Sequence, residues 1–133
     1  MTWMLDTNAC IRYLNGRSAK LKARIDGTDP ADMAVCSVVK AELFFGAARS
    51  SNPTLTLDRQ KRFLSRLRSY PFGDEEAEAY GSIRAALQTA GTPIGPNDLL
   101  IASIALANGL TLVTHNVSEF SRVPRLLLED WET

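Results

Sequence analysis

Short apolar runs alternate with helical patterns along the chain, and this alternation is the main structural signal. Residues 3–5, 33–38 and 110–114 form apolar runs of strand length that end at polar turns. Residues 70–72 and 126–128 are weaker candidates for short strands, the second of them at a sheet edge. Strands that alternate with helices indicate right-handed crossovers and a mainly parallel sheet with helices on both faces. The pattern therefore predicts an α/β fold.

Apolar residues three or four positions apart mark the helices, and turn residues mark their ends. The predicted helices cover residues 9–14, 18–25, 39–48, 57–68, 74–90 and 99–108. The segment 57–68 has apolar residues at helical intervals among arginines and a lysine, which predicts an amphipathic helix with a basic outer face.

The composition is that of a globular protein. The chain has 133 residues, 45% apolar and 23% charged, which predicts one domain over residues 1–133 with a sizeable core. No stretch reaches the roughly 20 apolar residues that span a bilayer, and the N-terminus has no leader pattern. Cys10 and Cys36 lie in apolar stretches without metal-ligand spacing. We therefore expect free thiols, no membrane contact and a cytoplasmic protein.

The charges balance, with 15 basic and 15 acidic residues and a pI near 6.6. No global positive field attracts a polyanion, so any nucleic acid must be bound by a local basic patch. Zero net charge also gives little protection against self-association, and we expect a homodimer.

Acidic and amide side chains follow the predicted strands. Asp6 comes directly after the first strand, Glu42 lies about one turn into the helix after the second, and Asn116 and Glu119 follow the strand 110–114. In parallel sheets, ligands bind outside the carboxyl ends of the strands, so these residues can share one edge. Asp98 stands at the start of a helix that enters its strand from the opposite direction, and the pattern alone leaves its position open.

A cluster of Asp6, Glu42 and Asp98 would require a compensating charge. Each carboxylate pair at about 4 Å repels by roughly 4 kcal/mol at an effective dielectric of 20, against a total stability of roughly 5 to 15 kcal/mol. Oxygen ligands suit a hard cation, so Mg²⁺, or alternatively Mn²⁺, is expected. Taken singly, Asp6 and Asp98 are typical of helix caps and Glu42 of a solvated helix residue. The metal hypothesis rests on their combination.

The order of the motifs resembles that of a known family. The motifs are Met-Leu-Asp-Thr-Asn at 4–8, the segment 37–43 that contains Glu42, Gly-Pro-Asn-Asp at 95–98, Val-Thr-His-Asn at 113–116, and Glu119-Phe120. In this order and spacing they are similar to PIN-domain proteins, specifically the VapC ribonuclease toxins of bacterial toxin-antitoxin pairs. The resemblance extends over residues 4–131. It implies a three-layer α/β/α domain in which Asp98 reaches the other acids.

The resemblance also implies roles for individual residues. Asp6 and Asp98 look like the principal metal ligands, Glu42 like a third acid, and Thr114 and Asn116 like neighbours of the ion. Asn116 stands where many PIN domains have a fourth acid, so Glu119 either compensates or the site holds one tight ion rather than two. A lone histidine beside a strand end, such as His115, is more often a hydrogen-bonding neighbour than a general base.

Function and partners follow from the same resemblance. It implies hydrolysis of RNA phosphodiester bonds, in tRNA or another structured RNA, by metal-activated water. Arg12, Lys40 and the basic face of 57–68 are candidate RNA contacts, although charged helix faces are usually only solvated. A VapB-type antitoxin would lie in a groove lined by Phe44 and Phe45, with Leu43 and the Phe63 helix either lining it or packed in the core.

Three other classes of protein share part of this pattern of acidic residues. An aspartyl-phosphate phosphatase needs a second acid two residues after the first, where this chain has Asn8. A receiver domain needs an adjacent acidic pair and a strand-end lysine, which the motif segments lack. An inactive module that binds only metal or antitoxin, with Asn116 in place of the fourth acid, is the main alternative to the ribonuclease.

Overall fold

The five strands form one sheet in which every neighbouring pair is parallel. The computed structural model describes residues 1–133. The strands are β1 (Trp3–Leu5), β2 (Met33–Cys36), β3 (Arg68–Tyr70), β4 (Thr111–Val113) and β5 (Leu127–Glu129), in the order β3-β2-β1-β4-β5. The direction of winding reverses at β1, so a crevice is expected between the carboxyl ends of β1 and β4.

Helices cover both faces of the sheet, and the result is a three-layer α/β/α fold. They are α1 (Thr7–Leu14), α2 (Ala19–Asp26), α3 (Ser37–Ala48), α4 (Pro53–Leu64), α5 (Asp74–Ala90), α6 (Pro96–Ala107) and the short α7 (Val117–Phe120), with a 3-10 turn at Pro30–Asp32. Helices α1, α2, α3 and α4 pack against one another in series, and α5 packs against α6. The predicted α/β fold and PIN-like architecture are confirmed.

The core consists of the strands and the helix faces that pack against them. Met4, Leu5 and Leu112 are fully buried in the two central strands, and α6 is buried along most of its length. Each fully buried side chain of this kind stabilises the fold by roughly 1.5 to 3 kcal/mol. Cys10 and Cys36 are buried free thiols, and burial raises the pKa of both above the ordinary value, which keeps them protonated.

Several element boundaries differ from the predicted ones. The second strand ends at Cys36, because Val38 and Val39 belong to α3. The third strand is Arg68–Tyr70 rather than 70–72, because Pro71 has no N–H for the ladder. Helix α4 was predicted over 57–68 but covers Pro53–Leu64, so the arginines at 66 and 68 lie outside it. Helix α6 begins at Pro96, so that Asp98 lies within its first turn. No helix is both long and apolar enough to cross a membrane.

Candidate active site

Asp6 lies where β1 ends and α1 begins. Its extended backbone makes it the N-cap of α1, and its Oδ1 accepts a hydrogen bond from the Ala9 N–H at 2.8 Å. Its backbone N–H pairs with Val113 in β4, which fixes Asp6 at the crevice between the two strands. Burial raises the pKa of Asp6 above the ordinary value, although a hydrogen bond with Thr114 partly opposes this shift.

Glu42 extends from α3 towards the same place and is held from two sides. The Thr7 hydroxyl donates a short hydrogen bond to Oε1 of Glu42, and the Asn97 amide donates to Oε2 at 3.3 Å. Thr7 belongs to α1 and Asn97 to α6, so one carboxylate connects three helices. Both donors orient the Glu42 carboxylate in the site.

Asp98 reaches this cluster from the first turn of α6, which decides the question that the pattern left open. Burial raises the pKa of Asp98 to about 7, and the neighbouring Glu119, Glu42 and Asp6 add to the shift. Glu119 is also a hydrogen-bond partner of Asp98. The site therefore gathers more carboxylate charge than the protein compensates.

Glu119 holds the loop that precedes α6. Its Oε1 accepts from the Gly95 N–H at 2.8 Å and its Oε2 from the Asn116 amide at 2.6 Å. The Gly95 hydrogen bond, followed by those of Asp98 and Asn116, lowers the pKa of Glu119 below the ordinary value. Glu119 is thus the ionised partner of Asp98, and it fixes both Gly95 and Asn116.

Thr114 and Asn116 complete the arrangement after β4. The Asn116 N–H donates to the Thr114 hydroxyl at 3.0 Å, and Thr114 is the hydrogen-bond partner of Asp6. The structure therefore brings the four predicted site residues and Glu119 into one region. The four predicted residues are Asp6, Glu42, Asp98 and Asn116.

His115 forms no hydrogen bond with the residues of this network. Its Nδ1 lies 2.9 Å from Oδ2 of Asp130, and the side chain is largely exposed. Glu132 stands beside this pair with its carboxylate bonded to Arg12 Nε at 2.5 Å, and its charge helps to raise the pKa of Asp6. Sequence reasoning missed Glu132, since no pattern distinguishes it from other acids near the end.

The carboxylate cluster consists of Asp6, Glu42, Asp98 and Glu119. None of these four forms an ion pair with a lysine or arginine. Of the basic candidates, Arg12 is engaged by Glu132, and Arg59 donates to the Leu14 carbonyl at 3.1 Å. An uncompensated set of oxygen donors in a crevice suits a hard divalent cation and the phosphate that such a cation attracts.

Sequence comparison agrees with this geometry. The family pattern of the PIN domain matches residues 3–126. This chain belongs to the PIN-domain family. The resemblance inferred from the order of the motifs is confirmed, and the catalytic assignments of individual side chains remain predictions.

Relatives of this PIN domain match it over nearly the whole length. Ribonuclease VapC2 of Rickettsia felis is 38% identical over 99% of both chains. The tRNA(fMet)-specific endonuclease VapC of Salmonella typhimurium is 37% identical over 98% of both. A solved structure of DNA-bound VapBC from Salmonella typhimurium, also 37% identical, superimposes with a TM-score of 0.92 over 98% of both chains. The PIN domain described here is therefore of the VapC type.

Proposed function

We propose that this chain is a divalent-metal-dependent endoribonuclease that acts as the toxin of a toxin-antitoxin pair. The observation that carries the proposal is the carboxylate cluster at the carboxyl ends of β1 and β4, where burial and the charges of Glu119, Glu42 and Asp6 all raise the pKa of Asp98 and none of the four acids forms an ion pair with a lysine or arginine. The names of the VapC relatives, a ribonuclease and a tRNA-specific endonuclease, support the same reaction.

The donor set fits Mg²⁺, with Mn²⁺ as an alternative. Asp6, Asp98 and Glu42 would hold the ion, since all three offer carboxylate oxygens and Mg²⁺ prefers oxygen ligands. A bound Mg²⁺ supplies charge neutralisation at the phosphate and a lowered pKa for an attacking water. Burial is the main cause of the raised pKa of Asp98, and the charges of Glu119, Glu42 and Asp6, which a bound cation would offset, add to it.

The chain's own residues position the reaction. Thr7 and Asn97 orient Glu42 by hydrogen bonds, Thr114 does the same for Asp6, and Glu119 fixes the loop that carries Asp98. Hydrolysis by water requires no covalent intermediate and leaves a 5′-phosphate and a 3′-hydroxyl. The substrate we propose is tRNA or another structured RNA, in line with the Salmonella relative.

The test is cleavage of total cellular RNA by purified protein free of antitoxin. We expect discrete products with Mg²⁺ or Mn²⁺ and none with EDTA, because the cluster cannot bind a phosphodiester without a cation. Returning Mg²⁺ in excess of EDTA should restore the same products. A folded protein that binds Mg²⁺ and cleaves neither total RNA nor purified tRNA would contradict the proposal and favour the inactive binding module.

The partner we propose is a VapB-type antitoxin, since the solved relatives are VapBC complexes. The candidate antitoxin groove is a cavity of about 240 Å³ between α1, α3 and α4 that ends at Glu42. Leu43 and Gln60 line it, whereas Phe63 is packed in the core. Phe44 faces a neighbouring cavity between α3 and α4, and Phe45 is 63% exposed. An antitoxin segment in this groove would cover Glu42.

Gln60 supplies a specific test of the groove. Its Oε1 is the one buried side-chain polar atom without a hydrogen-bond partner, and an antitoxin N–H would satisfy it if the side chain turned towards the groove that it lines. Gln60→Leu should stabilise the free toxin by about 1 kcal/mol or more while weakening antitoxin binding about tenfold. Thermal unfolding and calorimetric titration with the antitoxin measure the two effects.

The matched control is Gln88→Leu, the same change at an exposed position on α5. It should leave antitoxin affinity unchanged. Equal affinity of the antitoxin for the Gln60→Leu variant and the parent protein would exclude Gln60 from the interface. We also propose a cytoplasmic homodimer, whose mass is measurable by light scattering.

A further inference from the structure

A second groove lies between α5 and the segment that leads into α6. Its volume is about 250 Å³. One wall is a stripe on α5 and the other is the segment that leads into α6. This α5–α6 groove is lined by Tyr80, Arg84, Leu87, Gln88, Pro93, Ile94, Pro96 and Leu99.

The groove and the cluster share the start of α6. Pro96 lines the groove and Asp98 is two residues further along the same helical turn. The Gly95 N–H that Glu119 holds comes immediately before Pro96. A nucleotide chain whose phosphate lies at the cluster would therefore reach this groove across Gly95 and Pro96.

The lining offers a flat aromatic surface with a cation beside it. Arg84 is the one charged side chain in the lining, which contains no carboxylate. Its Nη1 donates to the Tyr80 hydroxyl at 2.9 Å, with the guanidinium 5.9 Å from the ring centroid. Phe72 meets the same ring edge-on at 6.1 Å between centroids. Tyr80 is thus held in place while remaining partly exposed.

These features match what single-stranded RNA presents. Bases stack on aromatic rings regardless of sequence, and arginine contacts both bases and phosphates. Gln88 adds an amide with donor and acceptor atoms for a base edge. A purely apolar protein segment would leave the polar groups of Arg84 and Gln88 without partners. An acidic segment would bring further negative charge close to the carboxylate cluster.

We propose that the α5–α6 groove binds a nucleobase adjacent to the scissile phosphate, stacked on Tyr80 and flanked by Arg84. The proposal rests on the ribonuclease function proposed above. It names Tyr80 and Arg84 as substrate-binding residues that set how the RNA strand enters the site. Arg122, whose Nη1 donates to the Pro93 carbonyl at 2.9 Å, holds the far wall in position.

The test compares Tyr80→Ala, Tyr80→Phe and Arg84→Gln. Binding of a fluorescent single-stranded RNA is measured by anisotropy in an Asp6→Asn background, and cleavage kinetics in the otherwise native protein. Loss of one stacked base should raise Kd and KM about 5- to 100-fold for Tyr80→Ala. Tyr80→Phe, which keeps the ring, should stay near the parent Kd. Arg84→Gln should raise Kd and reduce its salt dependence.

The outcomes separate this proposal from the ribonuclease function. If native protein cleaves RNA and both Tyr80→Ala and Arg84→Gln keep its Kd and KM, the nucleobase site is overturned while the ribonuclease stands. If native protein neither binds nor cleaves RNA, both fall. A change of oligomeric mass without a change of Kd would assign the groove to a subunit interface and also overturn the proposal. Arg84→Gln alone decides the result if Tyr80→Ala fails to fold.

Discussion

Replacing Asp98 with asparagine should slow RNA cleavage by about a hundredfold or more. Asparagine keeps the shape of the side chain but removes the negative charge that would hold the divalent ion. A bound metal ion contributes several kcal/mol of transition-state stabilisation, and each 1.36 kcal/mol is about a tenfold change in rate. Initial rates on one tRNA substrate, at saturating Mg²⁺, measure the effect.

The same substitution should not weaken the metal-free fold, which separates lost chemistry from lost structure. The folded protein raises the pKa of Asp98 from 3.8 to about 7, so between these values it binds more protons than the unfolded chain. Its stability therefore falls as pH rises through that window. In EDTA at pH 8, Asp98→Asn should unfold at a higher temperature than the parent. Full cleavage by this variant would remove Asp98 from the catalytic residues.

Truncating Phe120 to alanine should destabilise the protein by about 3 to 5 kcal/mol, the usual cost of emptying a large buried aromatic site. Phe120 is 1% exposed and is among the largest fully buried side chains. It ends α7 directly after Glu119, so the cavity would form under the residue that holds Gly95 and Asp98. Chemical unfolding should show the loss, and the thermal midpoint should fall by about 10 to 20 °C.

A matched change on the surface tests whether this effect comes from burial. Phe45→Ala removes the same ring from a side chain that is 63% exposed, and it should alter the unfolding free energy by no more than about 0.5 kcal/mol. Similar losses at Phe45 and Phe120 would contradict the described packing. RNA cleavage by Phe120→Ala below its unfolding temperature would then report how far Glu119 depends on this support.

The central strands were predictable because a parallel strand buried on both faces is apolar at every position. Met33, Ala34 and Val35 are of this kind. The same signal failed at the end of the run, since Ser37 and Val38 already belong to the first turn of α3. Burial can be predicted from such residues, but the switch of backbone conformation at Cys36 cannot.

The edge strands gave only a weak signal, and both were predicted with bounds that differ from those of the structure. Arg68 and Ser69 in β3 are exposed, and their pairing with β2 depends on backbone hydrogen bonds that any residue type can form. Helix α7 has only four residues, too few for a helical period. These parts of the fold depend on neighbours that are distant in sequence.

The candidate site was partly predictable. The rule that acids after parallel strands share an edge placed Asp6 and Glu42 correctly in space. This rule could not be applied to Asp98, because Asp98 lies at the start of α6, a whole helix before β4. Only the family resemblance predicted that Asp98 joins the other acids. The bond between Asn116 and Glu119 was not predictable, since it depends on the geometry of a loop.

The cap of α1 has a consequence for the choice of ion. Oδ1 of Asp6 already accepts the Ala9 N–H, and Thr114 is a second hydrogen-bond partner of this carboxylate, so a contact through one oxygen would disturb the cap of α1 least. A single-oxygen ligand suits the small octahedral shell of Mg²⁺. Ca²⁺ takes six to eight oxygens and often draws both from one carboxylate, which here would require the first turn of α1 to open. A divalent ion held by Asp6 would therefore disturb the start of α1 less if it were Mg²⁺ than if it were Ca²⁺.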